Sequence, residues 1–206
     1  MVLLLAVIVG VGAAGFWSWS NPRVAFLNTL DRPVELVLQN ELPVSVDAGA
    51  TLVTRVSRRN GRDLRWTVIA PVNGDGQPMG TVIGASASLP FPSSPLGIVR
   101  ARAEPRVDGD AYFAPRITNE TGKPVRIIVN DGLNDGAGVS IEADCQCVVP
   151  SGVTHFDIGY YRQFRNSTVL ALAGDGSTAM FEDFAEWVDP ATGVIPLRFA
   201  AGDLSP

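Results

Sequence analysis

Lysine, histidine and cysteine are scarce in this sequence of 206 residues. Lys123 is the only lysine among 16 basic residues, His155 is the only histidine, and there are two cysteines. His155 lies two residues before Asp157, but the chain has no Gly-x-Ser-x-Gly motif of the kind that positions a catalytic serine. Gly-rich phosphate-binding motifs at the start of a helix are also absent, so no nucleotide and no other cofactor is expected. These absences predict a protein that is not an enzyme.

The charge balance argues against nucleic acid as a partner. The chain has 16 basic and 21 acidic residues, a net charge of -5, whereas nucleic acid binding needs a clustered positive surface that replaces counterions. Apolar residues make up 46% of the chain, which is enough for two small domains of roughly 70 to 90 residues that each bury a core.

Two segments of the chain are nearly the same. Residues 28–38 (Asn-Thr-Leu-Asp-Arg-Pro-Val-Glu-Leu-Val-Leu) and 119–129 (Asn-Glu-Thr-Gly-Lys-Pro-Val-Arg-Ile-Ile-Val) share a polar turn, a basic residue, a proline and an aliphatic run. Proline at the first residue of a strand costs no ladder hydrogen bond, so both segments predict the start of a strand. The match continues in three further pairs of segments: 46–51 with 149–154, 66–70 with 169–173, and 74–76 with 174–176. Such self-similarity predicts a duplicated domain.

Short stretches of alternating apolar and polar residues predict antiparallel β-strands. Strands are expected at 24–27, 33–39, 51–57, 64–70 and 194–200, with turns such as Asn60-Gly61 between them. The pattern predicts an all-β protein with two tandem immunoglobulin-like β-sandwich domains, at residues 24–85 and 111–206. Residues 86–110 contain four prolines and are interpreted as a Pro-rich linker that lends an extended strand at about 96–102.

The first 20 residues form a run without a charged side chain. A helix of roughly 18 to 20 residues spans about 27 to 30 Å, close to the thickness of a hydrocarbon core. We therefore expect a single-pass transmembrane anchor at residues 1–20, with Trp17 and Trp19 at the membrane interface. A face for packing against another transmembrane helix is predicted at the small residues that recur every four positions, Ala6, Gly10 and Ala14.

The anchor is expected in the inner (cytoplasmic) membrane, with the bulk of the chain on the periplasmic side and the lipid bilayer as a partner. The positive-inside rule, applied to Arg23, points weakly the other way. N-terminal anchors commonly carry β-sandwich domains outward, and we give this analogy more weight.

Near the C-terminus, apolar side chains recur at i, i+1, i+4, i+7 and i+8, at Met180, Phe181, Phe184, Trp187 and Val188. This spacing predicts a short amphipathic helix whose other face is acidic. The apolar face is interpreted either as packed on the second sandwich or as a docking face for a partner, formed by Phe181, Phe184 and Trp187.

Cys145-Gln146-Cys147 is the most specific local motif in the chain. Two cysteines one residue apart in a strand point to the same face, so they bind a soft metal ion, form a local disulfide or remain an ordinary pair of thiols. The motif, the strand start at 119–125 and the Pro-Ser-Gly turn at 150–152 resemble the copper-delivery family of cytochrome oxidase assembly, which has an N-terminal anchor, an immunoglobulin-like domain and a Cys-Phe-Cys-Phe motif. The resemblance implies Cu(I) bound by Cys145 and Cys147, although this chain replaces both phenylalanines.

The expected function is that of a non-catalytic, membrane-anchored accessory or scaffold subunit. It would help to assemble or stabilise a larger integral-membrane protein complex of the respiratory or photosynthetic type. The apolar N-terminus, the duplicated domain and the absence of a catalytic motif favour this interpretation. The alternatives are a copper-binding assembly factor that uses Cys145 and Cys147, and an adhesive or ligand-binding sandwich protein.

Overall fold

The computed structural model describes residues 2–38, 42–57, 63–88, 97–134, 138 and 140–206. The chain forms two compact units: unit 1 comprises Met1–Val68 and Gly84–Glu104, and unit 2 comprises Ile69–Ile83 and Pro105–Pro206. In the described ranges there is one α-helix, α1 (Val2–Ser20), and the remaining regular structure is almost entirely β. The prediction of an all-β, sandwich-like protein is confirmed. The predicted turn at Asn60-Gly61 and the part of the predicted linker at 89–96 lie outside the described residues.

Unit 1 has two sheets, whose strand orders are β4-β1-β7 and β3-β2-β5-β6. In the first sheet, β1 is antiparallel to β4 and parallel to β7. The side chains of β1 alternate, with Val24 and Phe26 buried and Arg23 exposed, because successive side chains of a strand point to opposite faces. The strands in the described part of unit 1 are β1 (Arg23–Asn28), β2 (Val34–Leu38), β3 (Val44–Val46), β4 (Thr51–Arg55), β5 (Asp63–Val68), β6 (Gly84–Ser88) and β7 (Ile98–Ala103).

Unit 2 has a sheet of order β11-β10-β14-β15 and a second sheet in which β8, β12, β13 and β16 all pair with β9. Its core combines buried side chains from both sheets, among them Ile117, Ile127 and Leu197. Its strands are β8 (Arg106–Val107), β9 (Asp110–Glu120), β10 (Val125–Val129), β11 (Ala143–Val149), β12 (Phe156–Asp157), β13 (Tyr161–Arg162), β14 (Val169–Ala173), β15 (Thr178–Phe181) and β16 (Val194–Ala200). Short 3-10 helices are formed at Ala185–Trp187 and Ala201–Asp203.

The two units repeat one set of strand pairings. In unit 1, β1 pairs with β4 and, in parallel, with β7, while β2 pairs with β3 and β5, and β5 pairs with β6. In unit 2, β9 pairs with β12 and, in parallel, with β16, while β10 pairs with β11 and β14, and β14 pairs with β15. Each strand of unit 1 therefore has a counterpart in unit 2.

The predicted membrane anchor is wrong. Within the described residues no helix combines the length and the apolar character that crossing a membrane requires, since a hydrocarbon core takes about 20 consecutive apolar residues. The predicted single-pass placement in the inner membrane is therefore withdrawn. In the structure the C-terminal end of α1 contacts the last residue of β4, because the Arg55 guanidinium lies 4.7 Å from the centroid of the Trp17 ring and donates a hydrogen bond of 2.9 Å to the carbonyl of Asn21.

Residues 69–83 belong to unit 2, although they fall in the range predicted for the first sandwich domain. Met79 is buried in the core of unit 2, and the N–H of Thr81 donates to the carbonyl of Tyr160 at 2.6 Å. Gly80 and Gly159 both have positive φ angles, and a Cβ on Gly159 would overlap the carbonyl of Met79. The two glycines thus permit the close approach of this segment to the rest of unit 2.

Replacing Gly159 with alanine is expected to lower the free energy of unfolding by about 3 kcal/mol, because backbone strain adds to the overlap with Met79. Gly152 is the matched control, since its φ is +80° and nothing lies within 4 Å of an added Cβ. Gly152→Ala should cost only about 1 kcal/mol. Urea unfolding of both variants measures the difference, and equal losses would contradict the close approach.

Candidate protein-binding face

One face of the β4-β1-β7 sheet points away from the core of unit 1, and we call it the arginine face. Its side chains lie in three cross-strand rows, because β1 is in register with both neighbours. The rows are Arg55, Arg23 and Ile98; Val53, Ala25 and Arg100; and Thr51, Leu27 and Arg102. The face therefore has four arginines around a group of apolar side chains, and no carboxylate stands in any row.

The apolar part of the arginine face is accessible. Leu27, Val53 and Ile98 are 37%, 50% and 43% exposed, although isolated leucine, valine and isoleucine side chains gain about 1.5–3 kcal/mol from full burial. A shallow groove of about 570 Å³ runs along this part and is lined by Ala25 and Thr51 among others. The groove thus offers apolar surface bordered by cations.

The four arginines differ in how they are engaged. Arg55 contacts Trp17 and Asn21 at the end of α1. The Nε of Arg102 lies 3.6 Å from a carboxylate oxygen of Glu104, which follows β7. Among the described residues, no carboxylate forms an ion pair with Arg23 or Arg100. As far as the described residues go, Arg23 and Arg100 can therefore meet a negatively charged group of a partner.

Asn28 in unit 1 and Asn119 in unit 2 make equivalent hydrogen bonds, so they serve to align the residues of the two units. The side-chain amide of Asn28 donates to the carbonyls of Arg32 (2.8 Å) and Val46 (3.0 Å). That of Asn119 donates to the carbonyls of Lys123 (2.8 Å) and Val149 (2.9 Å). Both side chains are fully buried. Each asparagine thus ties the turn after a strand to the neighbouring sheet.

The corresponding face of unit 2 is neutralised by its own carboxylates. Counted from the two asparagines, Arg116 on β9 corresponds to Ala25 on β1, and it pairs across the sheet with Asp157 at 3.3 Å. Arg198 on β16 donates to a carboxylate oxygen of Glu120 at 2.8 Å, and this hydrogen bond and charge raise the pKa of Arg198. The cations of this face are therefore paired in unit 2, whereas in unit 1 Arg23 and Arg100 have no carboxylate partner among the described residues.

Cys145 and Cys147 are joined to each other by a disulfide, and both are buried. The pairing of β10 with β11 shifts here, so that residues 145–147 stand opposite Ile127 alone, and Gln146 has a positive φ of 50°. The structure therefore has the local disulfide, one of the three states that the motif allows. Two bonded sulfurs offer no thiolate to a Cu(I) ion. Among the described residues no group of three or more His, Cys, Asp or Glu side chains is placed to hold a metal ion.

Replacing both cysteines with serine is expected to lower the free energy of unfolding by about 1–2 kcal/mol, because the closed loop is short and its closure removes little entropy from the unfolded chain. Urea unfolding of the double variant and of the wild type under reducing conditions should give the same loss. A loss above about 4 kcal/mol would contradict this prediction and would mean that the two side chains stabilise the core of unit 2 mainly by packing.

The aromatic residues predicted as a docking face are divided between core and surface. Phe184 is 1% exposed, with its ring 5.1 Å from that of Phe113, and Phe181 packs at 5.0 Å on Phe199. Trp187 is 64% exposed. The predicted amphipathic helix is not formed, because Met180 and Phe181 pair with β14 as part of β15 and only Ala185–Trp187 is helical, as a 3-10 turn. Phe184 thus belongs to the core and is closed to a partner.

The small residues predicted for helix packing lie on α1. Gly10 and Ala14 are exposed, and nothing lies within 4 Å of a Cβ added to Gly10. Trp17 is half exposed and meets Arg55. The side chains of Ala6 and Trp19 lie outside the described part of the chain. The structure thus joins Trp17 to the arginine face through Arg55 and leaves Gly10 and Ala14 exposed on the helix.

The arginine face was missed in the sequence because its members are far apart along the chain. Arg23 and Arg100 become neighbours only through the parallel pairing of β1 with β7. One local signal was present, since Ile98, Arg100 and Arg102 alternate with Val99 and Ala101. That alternation predicts a strand with one cationic face.

No protein-family model and no curated protein matches this chain. Among solved structures it is similar to a streptococcal ancillary pilin, with a TM-score of 0.28 and 11% identity over 87% of this chain. The chain spans 62% of the length of that pilin. It is also similar to a protein of Bacteroides eggerthii DSM 20697 assigned to cell adhesion, with a TM-score of 0.29 and 8% identity, covering 88% of each chain. At these scores the likeness carries no argument about function.

Proposed function

We propose that this chain is a non-catalytic binding protein, an accessory or scaffold subunit that holds another protein against the arginine face of unit 1. The observation that carries the proposal is the contrast between two corresponding surfaces. In unit 1 the face is apolar and its cations Arg23 and Arg100 lack a carboxylate partner among the described residues, whereas in unit 2 Arg116 and Arg198 are paired. A chain with a net charge of -5 thus keeps an open cationic face in one place.

We infer further that the two units are copies of one immunoglobulin-like sandwich. The shared strand pairings and the two buried asparagines, Asn28 and Asn119, support this inference. Duplicated units begin with the same surfaces, so a surface that differs between them has diverged. Unit 2 accordingly serves as an internal reference for the surface of unit 1.

The composition of the arginine face suits a protein partner. Arginine is enriched at protein interfaces, because its planar group binds carboxylates in a bidentate manner and its stem covers apolar surface. Single exposed apolar residues are ordinary, but here Leu27, Val53 and Ile98 lie in adjacent rows of one sheet. Burial of these side chains would supply affinity, and the arginines would select a partner with acidic groups.

The surroundings of the single histidine support a non-catalytic role. His155 is exposed and has a positive φ of 56°. The nearby carboxylate of Asp157 pairs with Arg116 at 3.3 Å. A catalytic base is usually oriented by a carboxylate and set in a cleft.

Photo-crosslinking in the cells that natively make the protein tests the proposal. A photoreactive amino acid replaces Val53 in the middle of the arginine face, and, as a matched control, replaces the exposed Val148 of unit 2. We expect one discrete covalent adduct with another protein from position 53 and none from position 148. Absence of an adduct at 53, or the same mixture of adducts at both positions, would contradict the proposal.

A further inference from the structure

The strand β7 lies at an edge of its sheet. Within the described part of the chain it pairs with β1 alone. The N–H of Thr29 donates to the carbonyl of Ala103 at 3.1 Å, so the backbone groups of Ala103 face β1. Backbone groups alternate in direction along a strand, and those of Arg100 and Arg102 therefore point to the free edge. Among the described residues, no group bonds to these donors and acceptors, which lie beside the arginine face.

The counterpart of β7 in unit 2 is β16, and its free edge is blocked. The N–H of Ala114 donates to the carbonyl of Gly193 at 2.8 Å, so by the same alternation Pro196 points to the free edge of β16. Proline has no N–H and interrupts strand addition. Pro196 pairs with Arg116 on β9, and Arg100 pairs with Ala25 on β1. Since Arg116 and Ala25 correspond, Pro196 and Arg100 also correspond. Unit 2 thus has a common protection against edge pairing at the position where unit 1 has an arginine.

The side chains of β7 define what an added strand must contain. Ile98, Arg100 and Arg102 all project on the arginine face, so the neighbouring side chains of an added strand would meet two cations and one apolar group. Opposite charges across a strand pair are stabilising and like charges are destabilising. A second copy of β7 would bring arginine against arginine, which disfavours self-association through this edge. An extended segment with alternating acidic residues is the complementary occupant.

We infer that the free edge of β7 binds an extended, acidic segment of a partner protein as an added β-strand. This inference rests on the proposed function and specifies its partner. Main-chain hydrogen bonds to Arg100 and Arg102 supply part of the affinity, and their guanidinium groups select acidic side chains.

Fluorescence anisotropy with a labelled eight-residue peptide of alternating Glu and Thr tests the inference on the full chain. We expect binding to the wild type that weakens with salt, and at least tenfold weaker binding of the same peptide with Lys in place of Glu. Arg100→Ala should weaken binding severalfold, through the lost charge. Arg100→Pro should weaken it at least tenfold beyond Arg100→Ala, because it also removes the edge N–H. Arg198→Glu, in unit 2, should leave binding unchanged.

Arg100→Pro is expected to fold, because unit 2 carries Pro196 at the corresponding position. A second measurement does not depend on whether the Arg100→Pro variant folds. It uses the wild-type chain with peptides that are N-methylated at every Glu or at every Thr. An added strand uses the N–H groups of one alternating set only, so one methylated peptide should lose binding and the other should keep it. Equal binding by both methylated peptides, or equal affinities of Arg100→Pro and Arg100→Ala, would overturn strand addition.

The crosslinking and peptide-binding results together distinguish a wrong strand partner from the absence of any protein partner. An adduct from position 53 without binding of the Glu-Thr peptide overturns the acidic strand and leaves a protein partner on the arginine face. If position 53 gives no adduct and the Glu-Thr peptide does not bind, both proposals are overturned. Binding to phosphatidylglycerol vesicles in place of the peptide would assign the arginines to an anionic lipid and would likewise overturn the inference.

Discussion

Replacing Asn119 with leucine is expected to lower the free energy of unfolding of unit 2 by about 3–5 kcal/mol. The amide of Asn119 satisfies the carbonyls of Lys123 and Val149, and its oxygen accepts from the N–H of Thr121 at 3.1 Å. Each buried group left without a partner costs about 1–3 kcal/mol. Since a domain is stable by only about 5–15 kcal/mol, the loss should bring unit 2 close to unfolding.

Asn28→Leu is the counterpart in unit 1 and should have a loss of the same size, because Asn28 likewise donates to two turn and strand carbonyls and accepts from the N–H of Leu30 at 3.0 Å. Hydrogen exchange followed separately in the two units measures both variants. Asn73, a half-buried residue whose side-chain oxygen accepts from the N–H of Asp75 at 3.0 Å at the surface, is the control, and Asn73→Ala should cost less than about 1 kcal/mol. A large loss for only one of the two buried asparagines would contradict their equivalence.

Reversing the charge of Arg23 and Arg100 together, to Glu, is expected to reduce the adduct formed from position 53 at least about tenfold. Both arginines lack a carboxylate partner among the described residues, so the change loses two attractive contacts and places like charges against an acidic partner. Each 1.4 kcal/mol of lost binding free energy corresponds to about a tenfold change in affinity. Exposed charges are screened, so raising the salt concentration should reduce the wild-type adduct as well.

Arg65→Glu is the control for this charge reversal. Arg65 lies on β5, in the other sheet of unit 1, and its side chain is 70% exposed. It changes the net charge without touching the arginine face, and we expect an unchanged adduct. An equal reduction by Arg65→Glu would mean that overall charge, rather than this face, governs binding.

Strands with strong local signals were predicted well from the sequence. Pro33 and Pro124 immediately precede β2 and β10, as the matched segments suggested, and β16 spans the predicted 194–200. Proline fixes the start of such strands, and the alternation of side chains fixes their faces. The extended strand expected within the linker corresponds to β7.

Elements that depend on distant contacts were not predicted. β6 reads Gly-Ala-Ser-Ala-Ser, which has low intrinsic β-propensity, and it is a strand because it pairs with β5. The helical spacing at 180–188 was overridden by the pairing of β15 with β14. Nothing in the sequence of residues 69–83 indicates that Met79 enters the core of unit 2.

The arginine face was likewise not predicted from the sequence, because it depends on contacts between distant segments. The net charge of -5 suggested that the chain has no cationic surface. Net charge is a poor guide here, because a sum over the chain does not record which side chains share a face. The pairing of β1 with β7 brings Arg23 and Arg100 to one side of one sheet. Cys145 and Cys147, the most specific sequence motif, form a local disulfide within unit 2.

Hydrogen exchange of the crosslinked complex, compared with the free protein, tests whether the partner lies on the arginine face. We expect slower exchange in β1 and β7 of unit 1, above all at the amides of Arg100 and Arg102, which face the free edge. Exchange in β9 and β16 of unit 2, whose corresponding face is self-paired, should be unchanged. Protection confined to unit 2, or no protection in β1 and β7, would contradict the assignment of the arginine face as the protein-binding surface.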